Sequence, residues 1–228
     1  MTTLGLLVLA KAPEPGRVKT RLCPPLTPTE AADLAAAALL DTLDAVSRVR
    51  AGRVVVALSG QLAAATRARQ LRAALRGAIT RGQRGPDLGN RIAAAHRDAA
   101  GLLPGWPVLQ VGMDTPQVTP ALLASAAEPL HRLAADAVLG LAPDGGWWAL
   151  GLRDPRLAAV VADVPTSRDD TGERTLHALR AAGLRVVLLP ELTDVDTAAD
   201  AIAVAQAAPW TRFAAAVAAL PLCRTGAA

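Results

Sequence analysis

Short apolar runs alternate with helix-capping signals along the whole chain, and that alternation leaves few folds open. Apolar or β-branched runs stand at 4–10, 54–58, 107–112, 137–141, 147–152 and 184–190, with a weaker one at 78–83. Each is short and bounded by turn residues, as buried strands are. Between them lie stretches with helical signals. Thr27 is followed by Pro28 and, three residues on, by Glu30, which predicts a capping box and an Ala/Leu-rich helix to about Ser47. An Arg-studded helix is expected over 61–76, with Leu71 and Leu75 on one face. Pro86 or Asp87 opens another to about Ala100, and Thr119–Pro120 opens the next by the same cap-plus-proline logic. Residues 168–182 read as helical, as does the stretch from 194–200 onward, which Pro209 breaks before a last helix to about Leu220. The turn at 142–146 (APDGG) makes a hairpin of the runs on either side. Strands alternating with helices of this kind predict an α/β fold, a mainly parallel twisted sheet with helices on both faces. The 228 residues suffice for one domain, expected over 1–220, with a tail over 221–228.

In open sheets of this class ligands collect at the carboxyl ends of the strands. The first run empties into LLVLAKAPEPGRVKTRL (6–22), a proline-stiffened loop broken by Gly16 and carrying Lys11, Arg17, Lys19 and Arg21. Cations on such a loop suit a phosphate-bearing ligand; solvated surface residues are the alternative. The later strands are followed by Asp114 in GMDTP, by Asp144 in PDGGWW, and by Glu191, Asp194 and Asp196. Carboxylates there would hold a hard divalent metal beside the phosphates. Each also has a plain reading. Asp114 suits a turn, Asp144-Gly145-Gly146 suits a hairpin turn, and Asp194 or Asp196 suits a helix cap. Of Trp147 and Trp148, one is expected in the core; the other either joins it, as aromatics usually serve burial, or lines a sugar or base pocket. His96, His131 and His177 read as surface residues, because none has a clustered partner.

Composition excludes several classes. Aromatics are only 2% of the residues, too few for the stacking platforms of a single-strand nucleic-acid binder, and a net charge of +4 is too small to imply nucleic acid by itself. No stretch approaches a membrane span in length, so no membrane partner is expected. The N-terminal apolar run lacks a basic stretch before it and reads as a first strand rather than a signal peptide. Cys23 and Cys223 show no spacing motif and are expected as reduced thiols in a cytoplasmic protein. Without a GxSxG, a GxGxxG or a Ser-His-Asp order, hydrolase and dinucleotide readings fall away.

The set LAKAPEPGRVKTRL, GMDTP, PDGGWWALGL and DVDTAAD, in that order between about residues 4 and 205, resembles the bacterial DUF2064 or "transferase 1" family of the GT-A nucleotide-diphospho-sugar transferase superfamily. QRGPDLGNRI (83–92) resembles that family's Q-x-G-x-x-L-G-x-R segment. A more distant resemblance is to the 2-phospholactate and molybdenum-cofactor guanylyltransferases. The resemblance implies a GT-A fold and Mg²⁺ or Mn²⁺. It implies a nucleotide-phosphate site at Ala10, Lys11, Gly16, Arg17, Lys19, Arg21 and Gly89, metal ligands at Asp114 and Asp196, and an acceptor pocket at Asp144, Gly145, Gly146 and Trp147. Trp147–Trp148 stands where the family often has two tyrosines, and Met113 where it has a small residue.

Two reactions suit these residues. In nucleotidyl transfer a nucleoside triphosphate hands its nucleotide to an anionic or phosphorylated small-molecule acceptor, with Lys19, Arg21 and Asp114 carrying the chemistry. In glycosyl transfer an NDP-sugar is the donor, Asp114 serves the diphosphate, and Asp144 serves the acceptor. Only one carboxylate stands after the 107–112 run, where a glycosyltransferase usually has Asp-x-Asp, and this favours nucleotidyl transfer. A non-catalytic nucleotide-binding protein is the third reading. Arg91, Arg97 and Arg168 are further candidates for an anionic acceptor.

Overall fold

The structure, a computed structural model, describes residues 3–220; the expected tail lies outside them. Seven strands, β1 (Leu4–Lys11), β2 (Gly52–Ser59), β3 (Ile79–Gly82), β4 (Val108–Val111), β5 (Ala137–Leu141), β6 (Trp147–Leu152) and β7 (Val186–Leu189), form one sheet in the order β3-β2-β1-β4-β6-β5-β7. Strand β6 alone is reversed, lying antiparallel to β4 and to β5, while the remaining neighbours pair in parallel. The carboxyl ends of β1, β4, β5 and β7 therefore line one edge. The β5–β6 pair is the expected hairpin, with a register shift at Gly140/Leu141.

Helices cover both faces, and the two-residue period of β1 shows why. Leu4, Leu6 and Val8 join Leu39, Leu43 and Val46 of α1 (Pro28–Ser47), with Leu123 and Leu130 of α4 (Pro120–His131). Leu7 points the other way, onto Ala95 and Ala99 of α3 (Leu88–Leu102). Farther along that second face Leu139, Leu150 and Leu152 pack on Val161 and on Leu179 of α5 (Thr171–Ala181). Helix α1 is buried on its far side too. Leu34 and Ala38 meet Val204 of α6 (Ala198–Ala207) and Phe213 and Val217 of α7 (Arg212–Ala218). An alanine-rich helix suits that middle position, because small side chains let layers approach from two sides. Its capping box forms as expected, Thr27 accepting from the Glu30 N–H while Glu30 accepts from the Thr27 N–H.

Three expectations are corrected. The helix over 61–76 shrinks to α2 (Ala68–Ala74) and a 3₁₀ turn at Leu75–Gly77. Residues before it are tied to the cationic loop instead, the Gln61 N–H to Glu14 Oε1 at 2.8 Å and the Thr66 N–H to the Pro13 carbonyl at 2.9 Å. His96 is wholly buried, not a surface residue. It shares the α3 face with Ile92 and Ala99, and Nε2 meets Gln110 Oε1 of β4 at 3.0 Å. Burial pushes its pKa down to about 4, against the smaller upward pull of Gln110. The cap of α6 is Thr197, not Asp194 or Asp196, so both aspartates are left for other work. A 3₁₀ helix at Pro155–Val161, capped by Asp154, also emerges. Its Asp154–Pro155 start is the same cap-plus-proline signal that opens α1 and α4. Among the described residues no helix is long and apolar enough to cross a membrane.

Candidate functional site

The loop after β1 is built rather than draped. The Ala12 N–H reaches the Ser59 carbonyl of β2 at 2.7 Å. Glu14 is buried beneath the loop and holds the Gln61 N–H on one oxygen and Arg17 on the other, at 3.4 Å. Val18 and Leu22 are buried on either side of Lys19. Between these anchors the backbone of Lys19 is forced into the left-handed region, φ 47°, a conformation that costs a non-glycine residue on the order of 1 kcal/mol. Gln83 secures the floor, its Nε2 donating to the carbonyls of Ala10 and Ala57 at 2.8 and 3.0 Å across the ends of β1 and β2.

Opposite the loop, the stretch after β7 has no ladder of its own, yet four hydrogen bonds fix it. Trp148 Nε1 donates to the Pro190 carbonyl at 3.0 Å. The Leu192 N–H reaches the Leu141 carbonyl at 3.4 Å. Gln117 Nε2 donates to the Thr193 carbonyl at 2.6 Å. The Val195 N–H donates to the Asp114 carbonyl at 3.0 Å. Val195 is buried, so Asp194 and Asp196 flank an anchored residue and stand beside Asp114. One carboxylate oxygen from each of the three lies within 4.8 Å of the other two.

Lys19 closes this group. Its Nζ donates to Asp114 at 2.7 Å and to Asp196 at 2.9 Å, and Arg21 pairs with the other oxygen of Asp196 at 3.1 Å. Burial alone would lower the Lys19 pKa, but Asp114 and then Asp196 raise it on balance, so the ammonium stays charged. For Asp196, burial pushes upward and Lys19 and Arg21 pull its pKa below the usual value. Asp194 is different. Burial, then Asp114, Asp144 and Asp196, push its carboxyl up to about 7. The group therefore holds more carboxylate than its lysine and arginine balance, and hard oxygen donors in that state fit a divalent cation.

The DGG turn sits next to this cluster but is partly occupied with its own structure. Asp144 Oδ1 accepts the Gly146 N–H at 2.8 Å. Gly145 has φ +87°, and a Cβ there would overlap the Asp169 carbonyl. Trp148 is core, lying across Gly140, while Trp147 is only half buried and packs against the cluster of Leu139, Leu150 and Leu179.

Of the residues expected from sequence, Lys19, Arg21, Asp114 and Asp196 come into direct contact, and Asp144 acts on the cluster through its charge. Lys11, Gly16 and Arg17 lie exposed along the same loop. Gly89 instead packs against the carbonyls of Val161 and Ala162, where a side chain would not fit. Arg91 Nε binds the Gly85 carbonyl and Arg168 pairs with Asp170. Asp194, read from sequence as one of several strand-end carboxylates but absent from the ligand pair that the resemblance implies, is the third member of the cluster, and Glu14, the loop's internal anchor, was missed. The Asp-x-Asp spacing in DVDT was the available signal for Asp194. Together the loop and the carboxylates set cations beside a cluster of oxygen donors.

A family model described as "Uncharacterized protein conserved in bacteria (DUF2064)" matches residues 42–168, more than half of the chain. That stretch includes Asp114 and Asp144 to Trp147, and lies between Lys19 and the Asp194–Asp196 pair. A solved protein from Desulfovibrio desulfuricans G20, provisionally described as a nucleotide-diphospho-sugar transferase, is 28% identical with a TM-score of 0.81, covering 99% of this chain and 95% of its own. A 4-diphosphocytidyl-2C-methyl-D-erythritol synthase shares the fold at 15% identity, TM-score 0.60, over 90% of this chain and 97% of its own. A manganese complex of Rv0371C from Mycobacterium tuberculosis H37Rv does so at 22% identity, TM-score 0.52, over 89% and 98%. A comparison with curated proteins finds no matching sequence.

Proposed function

The chain belongs to the DUF2064 family, and from that premise we propose that it is a metal-dependent nucleotide-using transferase that moves a nucleotidyl group from a nucleoside triphosphate to an anionic small-molecule acceptor. The observation that carries this reading is the meeting of Lys19 and Arg21 with three aspartates at the carboxyl edge of the sheet. Asp114, Asp194 and Asp196 would hold Mg²⁺ or Mn²⁺. Such an ion would supply Lewis-acid stabilisation of negatively charged phosphate oxygens. Lys19 and Arg21 then face the phosphates and stabilise the charge that gathers on the leaving pyrophosphate. A bond forms between an acceptor oxygen and the α-phosphorus, the α–β bridge breaks, and pyrophosphate leaves with the electron pair. An acceptor that is already ionised has no proton to lose. The fold shared with a 4-diphosphocytidyl-2C-methyl-D-erythritol synthase and with a protein solved in complex with manganese agrees with this reading.

The provisional description of the 28% identical protein favours a second reading, glycosyl transfer from an NDP-sugar. The released product separates the two. Nucleoside triphosphates and NDP-sugars are screened with Mg²⁺ for a raised melting midpoint, which a bound ligand produces by mass action, and the stabilising ligands are then assayed for pyrophosphate or nucleoside diphosphate. Pyrophosphate release in the presence of an acceptor supports nucleotidyl transfer. Nucleoside diphosphate from an NDP-sugar replaces it with glycosyl transfer, and no stabilisation by either class removes both.

A further inference from the structure

A cavity of about 420 Å³ opens at the sheet edge opposite the carboxylate cluster. It lies where β4 and β5 begin and the reversed β6 ends, with Trp106, Asp136, Arg153, Arg156 and Leu157 among its walls. Its size falls within the range of small-molecule sites.

The walls combine a flat apolar surface with a cationic one. Trp106 is half buried, so its ring is held by the protein yet reachable from the cavity. Arg153 is pinned, one Nη pairing with Asp136 at 3.1 Å, while its Nε is buried without an acceptor. That nitrogen is shut off from the cavity, so Arg153 shapes the wall and steadies Asp136. Arg156 is mostly exposed, and its ion pair with Asp154 is long, at 3.7 Å. Asp136 is already shared with Arg185, which binds it at 2.9 Å, so its negative charge is spent on two guanidiniums. The charges of the walls balance, Arg153 and Arg156 against Asp136 and Asp154, and the long pair of Arg156 leaves its guanidinium the least committed of them, on the same lining as the indole ring.

We propose that this cavity is a second, non-catalytic binding site for a small organic anion that carries a flat ring. Arg156 takes the anionic group, and Trp106 and Leu157 take the ring. Phosphate and carboxylate present the same oxygens to a guanidinium, so the probe decides between them. Nothing is transferred at this site, and it shares no residue with the carboxylate cluster.

The test is calorimetric titration of the full chain with phenyl phosphate, benzoate and inorganic phosphate, repeated on Arg156→Ala and on Lys19→Met. Saturable binding of phenyl phosphate or benzoate is expected, weakened about tenfold by Arg156→Ala and unchanged by Lys19→Met. Whichever of the two binds more tightly names the anion. No saturable binding of either ring-bearing probe overturns the proposal. So does binding that survives Arg156→Ala but is lost in Lys19→Met, because the probe then sits on the cationic loop. Inorganic phosphate binding as tightly as phenyl phosphate removes the role of the ring.

Discussion

Lys19 and Asp114 stand 95 residues apart in the chain and 2.7 Å apart in the fold. The contact joins the loop after β1 to the end of β4, and Asp196 brings in the stretch after β7. One ammonium thus links three separate strand ends. Its charge is held by two carboxylates, while the third, on Asp194, is left with an excess of negative neighbours.

Replacing Lys19 by Met keeps the aliphatic stem and removes the charge. Pyrophosphate release is expected to fall by about 100-fold or more, the scale seen when a preorganised charge at a reacting phosphate is removed. The same variant leaves three carboxylates without their ammonium, so Mg²⁺ should raise its melting midpoint more than it raises that of the parent. An unchanged release rate removes Lys19 from the chemistry.

Asp194→Asn tests the carboxylate that the geometry adds to the Asp114–Asp196 pair. Calorimetry with Mn²⁺ and a nucleoside triphosphate is expected to show metal-dependent binding weakened by about tenfold or more. Asp114→Asn should behave alike. Asp144→Asn should change it far less, because Asp144 acts from outside the cluster and its oxygen is committed to the Gly146 N–H. Equal losses in all three variants would speak for a general charge effect rather than for ligation.

His96 makes stability depend on pH. Its pKa is lowered to about 4 in the fold, from an ordinary 6.5. Between those values the unfolded chain binds the extra proton and the folded chain does not. Stability is therefore lost as pH falls through that window, by at most about 3 kcal/mol at 1.36 kcal/mol per pH unit. Urea unfolding of the parent and of His96→Gln at pH 7 and pH 5 isolates this contribution. The parent should lose more stability than the variant between the two, and parallel losses would show that the ring is not responsible.

Trp148→Phe removes the N–H that holds the Pro190 carbonyl. A loss of about 1–3 kcal/mol is expected in urea unfolding. Metal-dependent nucleotide binding should weaken as well, since that bond fixes the stretch bearing Asp194 and Asp196. Lost stability with intact binding would show that the other three hydrogen bonds suffice.

Gly145→Ala meets two obstacles at once, a backbone at φ +87° and the Asp169 carbonyl where its Cβ must go. The expected cost is about 3 kcal/mol or more. Gly16→Ala, at φ +74° but with open space around it, should cost only about 1 kcal/mol. Thermal unfolding of the pair compares overlap with backbone strain alone, and equal midpoints would mean that the turn shifts to make room.

Sequence made the sheet legible because apolar runs and caps obey local rules. Thr27 with Glu30, Thr119 with Pro120 and the Gly-rich turn of the hairpin each act within a few residues. The site was legible in outline for a related reason. Ligands gather at strand carboxyl ends, so Lys19, Asp114 and Asp196 could be named from their places just past the strands. The features that escaped are set by distant partners. His96 reads as a surface residue until Gln110 of β4 is seen to face it. Glu14 looks like one more loop charge until Gln61 docks on it. The stretch from Pro190 to Val195 has no periodicity to read, and its course depends on Trp148 and Gln117 reaching it from other elements. Gly89 looks like part of a phosphate loop in a linear motif, but the neighbouring 3₁₀ helix claims its empty side.

The long spacing of the cluster has a consequence for how the protein comes into being. Lys19 and Asp196 are 177 residues apart, and the chain between them contains six of the seven strands. A chain still being synthesised, with β1 to β6 in place, owns the cationic loop and Asp114 but has neither of the other two aspartates. Their carrier has no strand pairing of its own, so it must wait for the loop after β4 and for the β5–β6 hairpin to offer their hydrogen bonds. Docking of the last quarter is therefore what completes the cluster. The charged group acts as a seal on finished assembly, closed only once the loop after β1 and the stretch after β7 have found each other.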